Sequence, residues 1–197
     1  MDGPWENLLE TAKKVNLANS KLQYFCPFPK DIKKQGFQPF HIPACDLMQT
    51  DIGLHTDDYP DLRDAFILAS PYAHWRQTYK GTTVGEKFLN KFGCYGLIGP
   101  ESPFQSEKIR ACVVYMPKNF YYPWHHHTAE EMYLCLAGEA VFRRENCSDA
   151  RLVSGGIMKH SVNQPHSMET LEHPIMSYVV WRNEFGTKPV LTFEDAR

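Results

Sequence analysis

Tyr121-Tyr122-Pro123-Trp124-His125-His126-His127-Thr128-Ala129-Glu130-Glu131-Met132-Tyr133-Leu134-Cys135-Leu136-Ala137-Gly138 is the most chemically dense part of this chain. Its eighteen positions hold three histidines, two glutamates, three tyrosines and one tryptophan, then an apolar alternating run that stops at glycine. In an extended segment successive side chains point to opposite faces, so His125 and His127 aim one way and His126 the other. Glu131 and Tyr133 share a face for the same reason. If the chain turns near Thr128-Ala129, two imidazoles, a carboxylate and a phenol converge. Such a nitrogen and oxygen set suits a first-row divalent ion (Zn, Fe(II), Mn, Co or Ni) and is too nitrogen-rich for Ca or Mg.

Working outward, the region after Cys94 reads as short strands. Cys94–Ile98, Ile109–Met116, Glu131–Ala137, Glu139–Arg144, Ala150–Val153, Ile175–Arg182 and Val190–Phe193 are of strand length. Gly99-Pro100, Pro117, Gly138, Gly155-Gly156 and Pro174 separate them. Closely spaced strands with no amphipathic helix between them argue for an all-β barrel or sandwich over 94–197.

Residues 1–93 read as helical or irregular. Trp5, Leu8, Leu9, Ala12 and Val15 form a helical stripe. Lys21 to Thr56, broken by prolines, reads as irregular. Asp58-Tyr59-Pro60 reads as a helix start, Tyr72 to Tyr79 as a second helix rich in rings, and Gly85 to Phe92 as a short helix ending at Gly93. This part is assigned a structural role, including a possible homodimer contact, and no chemistry. His41, His55 and His74 stand alone in it. The 197 residues are expected to form a single domain.

A net charge of -2 without a basic run gives no nucleic-acid footprint, so a small polar metabolite is the expected partner. Neither a secretory apolar segment nor a run long enough to span a bilayer is present, which predicts a soluble, cytoplasmic protein with no membrane partner. Six cysteines without a C-x-x-C pair fit reduced thiols better than a disulfide framework.

The order His125-x-His127, three residues, Glu131, six residues, Gly138 resembles the first metal-binding motif of the cupins, double-stranded, jelly-roll-like β-barrels; Asn119 stands where that motif has its leading glycine. The resemblance implies a mainly β cupin barrel with a helical N-terminal extension. In the family's second motif a leading glycine precedes the histidine by eleven positions. Gly155 and His166 satisfy this, although Ser161, Asn163 and Thr170 replace the other signature residues. His166 is therefore the expected further ligand, His160 the reserve, and His173 a surface residue.

Aromatic faces can hold an alkylated cationic head without a hydrogen bond, and a divalent ion can draw a tyrosine toward the range useful to a general base. The pattern His125, His127, Glu131, Tyr133, with His166, Tyr122 and Trp181, is similar to that of the cupin-type dimethylsulfoniopropionate (DMSP) lyases. Trp75-Arg76-Gln77-Thr78-Tyr79, Arg110-Ala111, Tyr115-Met116 and Val180-Trp181-Arg182 extend the likeness over most of the chain.

The resemblance implies a metal-dependent lyase that cleaves DMSP to dimethyl sulfide and acrylate by base-initiated β-elimination. It implies a metal held by His125, His127, Glu131 and His166, with Tyr133 as a further ligand or as the base. Tyr122 is the second catalytic candidate, and Trp181, Tyr122, Tyr121 and Trp124 are the substrate-binding rings. Rival readings are a non-haem iron dioxygenase and a non-catalytic metal cupin that binds a small ligand.

Overall fold

Proline stands at the start of the helices α1 (Pro4–Ala18), α3 (Pro43–Thr50) and α4 (Pro60–Ala69), where its fixed φ suits the first turn and its missing N–H costs nothing. The computed structural model describes residues 3–192. The remaining helices are α2 (Ser20–Phe25) and α5 (Gly85–Lys91), with a 3-10 turn at Ser70–Tyr72. α1 buries Leu8 and Ala12 from the expected stripe.

Two expectations for this part are corrected. Lys21 to Thr56 is not simply irregular, because it contains most of α2 and all of α3; Pro43 opens a helix rather than breaking one. Tyr72 to Tyr79 is not a helix. Past the 3-10 turn the backbone extends and bridges Phe40 to His74 and Trp75 to Tyr95. The spacing of its rings is helical, but Trp75 packs on Tyr95 at 4.9 Å, so a tertiary contact overrides local periodicity.

The strands are β1 (Lys33–Lys34), β2 (Gly93–Ile98), β3 (Phe104–Gln105), β4 (Ile109–Met116), β5 (Phe120–His126), β6 (Glu130–Arg144), β7 (Ala150–Val153), β8 (Ile157–His160), β9 (His166–Thr170), β10 (Ile175–Arg182) and β11 (Val190–Leu191). β4, β7 and β10 have the expected bounds. Phe193, expected to close the last strand, lies outside the described residues. β8 and β9 are absent from the sequence reading because four or five residues with polar members give little alternation.

Glu131–Ala137 and Glu139–Arg144 are one strand, not two. Gly138, at φ +72°, bends β6 without ending it, and a Cβ there would lie 1.9 Å from the Pro174 carbonyl oxygen. Before the bend β6 pairs with β10 and β8; after it, with β7 and β9. The strand order is β1-β3-β2-β4-β10-β6-β9-β5-β11, and the ladder does not close among the described residues. The architecture is thus mainly β with N-terminal helices, as the resemblance implied.

Alternation sorts the central strands into two faces. Tyr95, Val113, Leu134, Tyr178 and Val180 pack against the helices. Cys94, Val114, Tyr133, Cys135 and Val179 face the opposite way, into the interior that carries Tyr79, Tyr122 and Phe142. The chemistry-bearing residues are on this second face.

Candidate metal centre

β5 and β9 run antiparallel with His125 opposite His166, and the two rings lie 4.1 Å apart. β6 brings in Glu131 between two cross-strand neighbours, Trp181 on β10 and His160 on β8. Both neighbours bond its carboxylate: Trp181 Nε1 donates to Oε1 at 2.6 Å, and His160 Nδ1 lies 2.7 Å from Oε2. His127, in the turn between β5 and β6, completes the cluster.

The ring tautomers are set from outside the cluster. Nδ1 of His125, His127 and His166 lies 2.8, 3.0 and 2.8 Å from the carbonyls of Pro123, Ala129 and Gln164. A carbonyl only accepts, so each Nδ1 carries the hydrogen and each Nε2 keeps a lone pair. Nε2 of His127 and of His166 stand 3.3 Å from Glu131 Oε2. Both atoms are buried and neither contact has hydrogen-bond direction. His127, Glu131 and His166 thus converge as a buried group of three donors with ligand atoms within 4.8 Å of one another. Lone pairs aimed at one point, each ring fixed by a second hydrogen bond, are what a divalent transition metal requires.

Burial pushes the Glu131 carboxyl up, but the charge of His127 and the close approach of the His127, His160 and His166 rings hold it well below the ordinary range. Burial lowers His127, and Glu131 more than restores it. Burial, with His166 beside it, holds His125 well below its ordinary value. The same two causes draw His160 down to about 4.

The cluster opens on a cavity of about 390 Å³ lined by His125, His127, Glu131, Tyr133, Tyr122 and Trp181 among others. Tyr122 stacks on His125 at 3.9 Å and 12°, and Trp181 lies 4.3 Å from His127. Tyr133 packs at 5.5 Å from His160. Burial, followed by the charge of Glu131, pushes its phenol well above the ordinary range.

Strict alternation would send Tyr122 and His125 to opposite faces. A register shift in the β5–β9 ladder between them turns both inward. Tyr121 and Trp124, the other two expected substrate-binding rings, are half-buried, and neither lines the cavity. His126 also points away, to Thr192. His166 and His160 are both buried in the cluster, so the choice between them is not exclusive.

The N-terminal part is not devoid of site residues. His74, Arg76, Gln77 and Thr78 line the cavity, and the Tyr79 hydroxyl lies 2.7 Å from that of Tyr122. Sequence reasoning passed over them because a helix was expected there. The signal lay in the stretch Trp75–Tyr79, which carried the family likeness without a role.

A family model described as dimethylsulfoniopropionate lyase matches residues 20–177. The dimethylsulfoniopropionate lyase DddQ of Ruegeria pomeroyi is 41% identical over 194 residues, 98% of this chain and 96% of that one. The crystal structure of DddQ from Ruegeria pomeroyi superposes with a TM-score of 0.97 at 40% identity, covering 100% of each chain. A structure reported with the DMSP lyases RdDddP and RnDddQII gives 0.92 at 34% identity, over 96% of this chain and 98% of that one. On these likenesses the chain belongs to the dimethylsulfoniopropionate lyase family.

Proposed function

We propose that the protein cleaves DMSP to dimethyl sulfide and acrylate by a metal-dependent β-elimination. The observation that carries this reading is the buried His127–Glu131–His166 donor group, with His125 beside it and Tyr133, Tyr122 and Trp181 on the same cavity. Those four residues would hold one divalent cation. Bound there, it would supply Lewis acidity toward a carboxylate oxygen and positive charge that offsets the effect of Glu131 on the Tyr133 phenol.

Tyr133 takes the α-proton at its phenolic oxygen. The released pair forms the new double bond, the β-carbon to sulfur bond breaks, and dimethyl sulfide leaves with the electrons of that bond. Tyr122 and Trp181 offer ring faces to the sulfonium, which has no hydrogen to donate. Trp181 also keeps the Glu131 carboxylate in place through its indole N–H.

The test is headspace detection of dimethyl sulfide from purified protein and DMSP, with and without a chelator. Release that the chelator abolishes, and that Tyr133→Phe lowers by about two to four orders of magnitude, is the expected result. Wild-type turnover in Tyr133→Phe would remove the base assignment. Oxygen uptake without sulfide release would replace the lyase reading with the dioxygenase one.

A further inference from the structure

Two thiols face the cavity from adjacent strands. Cys94 on β2 and Cys112 on β4 are diagonal neighbours, since Cys94 pairs with Val114 and Gly96 with Cys112. Both line the cavity together with Arg76 and Arg110. Gly96 leaves room for the Arg76 guanidinium: a Cβ there would lie 2.5 Å from its Nη2. The backbone N–H of Arg76 also donates to the Cys94 carbonyl at 2.8 Å, which ties the two residues together. The buried Nε of Arg110 has no hydrogen-bond partner. No step of the elimination uses either cysteine or either arginine.

We propose that this group is a covalent capture site for α,β-unsaturated carboxylates, acrylate first among them, with Cys94 as the nucleophile and Arg76 as the carboxylate holder. The choice of acrylate rests on the lyase reading. Cys94 gives its S–H proton to solvent, and the resulting thiolate bonds to the terminal carbon of acrylate while the carbon–carbon π bond breaks. Its electron pair goes to the α-carbon, which takes a proton from the neighbouring Cys112 thiol, and solvent restores that proton. The net product is a thioether, formed from one thiol and one acrylate without an oxidant or reductant.

Charge favours this assignment of roles. The neighbouring Cys112 thiol, with help from Arg76, draws Cys94 below the ordinary thiol range against the effect of burial. Cys112 is correspondingly pushed well up, which suits the proton donor. A free carboxylate deactivates acrylate toward thiolates by repulsion, and a guanidinium beside the thiol removes that handicap. Cys147, exposed on the surface, is the internal reference.

The purified, metal-loaded protein is incubated with acrylate alone in thiol-free anaerobic buffer, digested, and mapped by mass spectrometry. Cys94 is expected to gain the mass of one acrylic acid before Cys147 does. Arg76→Gln should slow that labelling by about tenfold, the scale of one charge-assisted hydrogen bond. Uncharged acrylamide should shift the preference toward Cys147, and in Cys147→Ser the Cys94 adduct should persist. Labelling of Cys147 first, or labelling of Cys94 undiminished by Arg76→Gln, overturns the proposal. Because acrylate is supplied directly, an adduct in a protein that releases no dimethyl sulfide upholds the site and removes only the lyase reading. Sulfide release without an adduct does the reverse.

Discussion

Replacing Tyr79 by phenylalanine should destabilise the protein far more than replacing Tyr79 and Tyr122 together. The two phenols are 2% and 4% exposed, and their hydroxyls meet at 2.7 Å. Tyr79→Phe leaves the Tyr122 hydroxyl buried without its partner, at a cost of about 1–3 kcal/mol; removing both hydroxyls deletes donor and acceptor at nearly constant ring volume and is close to neutral. For a chain of this size each kcal/mol moves the melting temperature by roughly 2–4 °C. The assay is a double-mutant cycle in urea on Tyr79→Phe, Tyr122→Phe and the double variant. A coupling energy of about 1–3 kcal/mol is expected. Additive losses, with the double variant as weak as the sum of the singles, would refute the claim that these hydroxyls satisfy each other in a dry interior.

Gly138→Ala should lose at least ~1–2 kcal/mol from the left-handed backbone alone, with more from displacing the Pro174 carbonyl, read as a lowered denaturation midpoint. His160→Ala should weaken metal retention by about 10–100-fold, the usual effect of losing a group that orients a ligand, and His166→Ala should weaken it further; equal metal content in the two variants after dialysis would reverse their roles. Hydrogen bonding from Arg182 holds Glu130 down at about 2, against an ordinary value near 4.5. Because the folded value is the lower one, its contribution is present above the unfolded value and is lost as pH falls from about 4.5 toward 2, on the order of 1–2 kcal/mol after allowing for solvent screening. Glu130→Gln should flatten the acid limb of stability against pH over that interval.

Much of the fold was legible because β4 and β10 are eight-residue, largely apolar runs set off by turn residues and the apolar half of β6 sits beside its ligands. The convergence of the candidate cluster was legible for a related reason: His125, His127 and Glu131 are close in sequence, so a period of two nearly brings them together. What escaped depends on contacts that sequence spacing does not encode. The bulge that turns Tyr122 inward also sends Tyr121 out, because one inserted residue reverses the face assignments on one side of it relative to the other. Arg76 reaches the cavity, and Tyr79 the Tyr122 hydroxyl, from a segment held by isolated bridges to residues 20 and 34 positions away, where local periodicity argued for a helix. His160 and Glu131 are joined by a ladder, β6 to β8, whose second strand is too short to announce itself.

β6 pairs with strands on both sides of its bend and carries Glu131 and Tyr133 on the same piece of backbone. A substitution that shifts this strand therefore disturbs the hydrophobic framework and the reacting groups at once. Variation in what the enzyme accepts has freer room elsewhere, in the Arg76–Thr78 and Gly186–Pro189 walls, which border the same cavity without belonging to a named strand. Exchanging those walls between relatives, with β6 untouched, is the natural route to altered substrate preference in this scaffold.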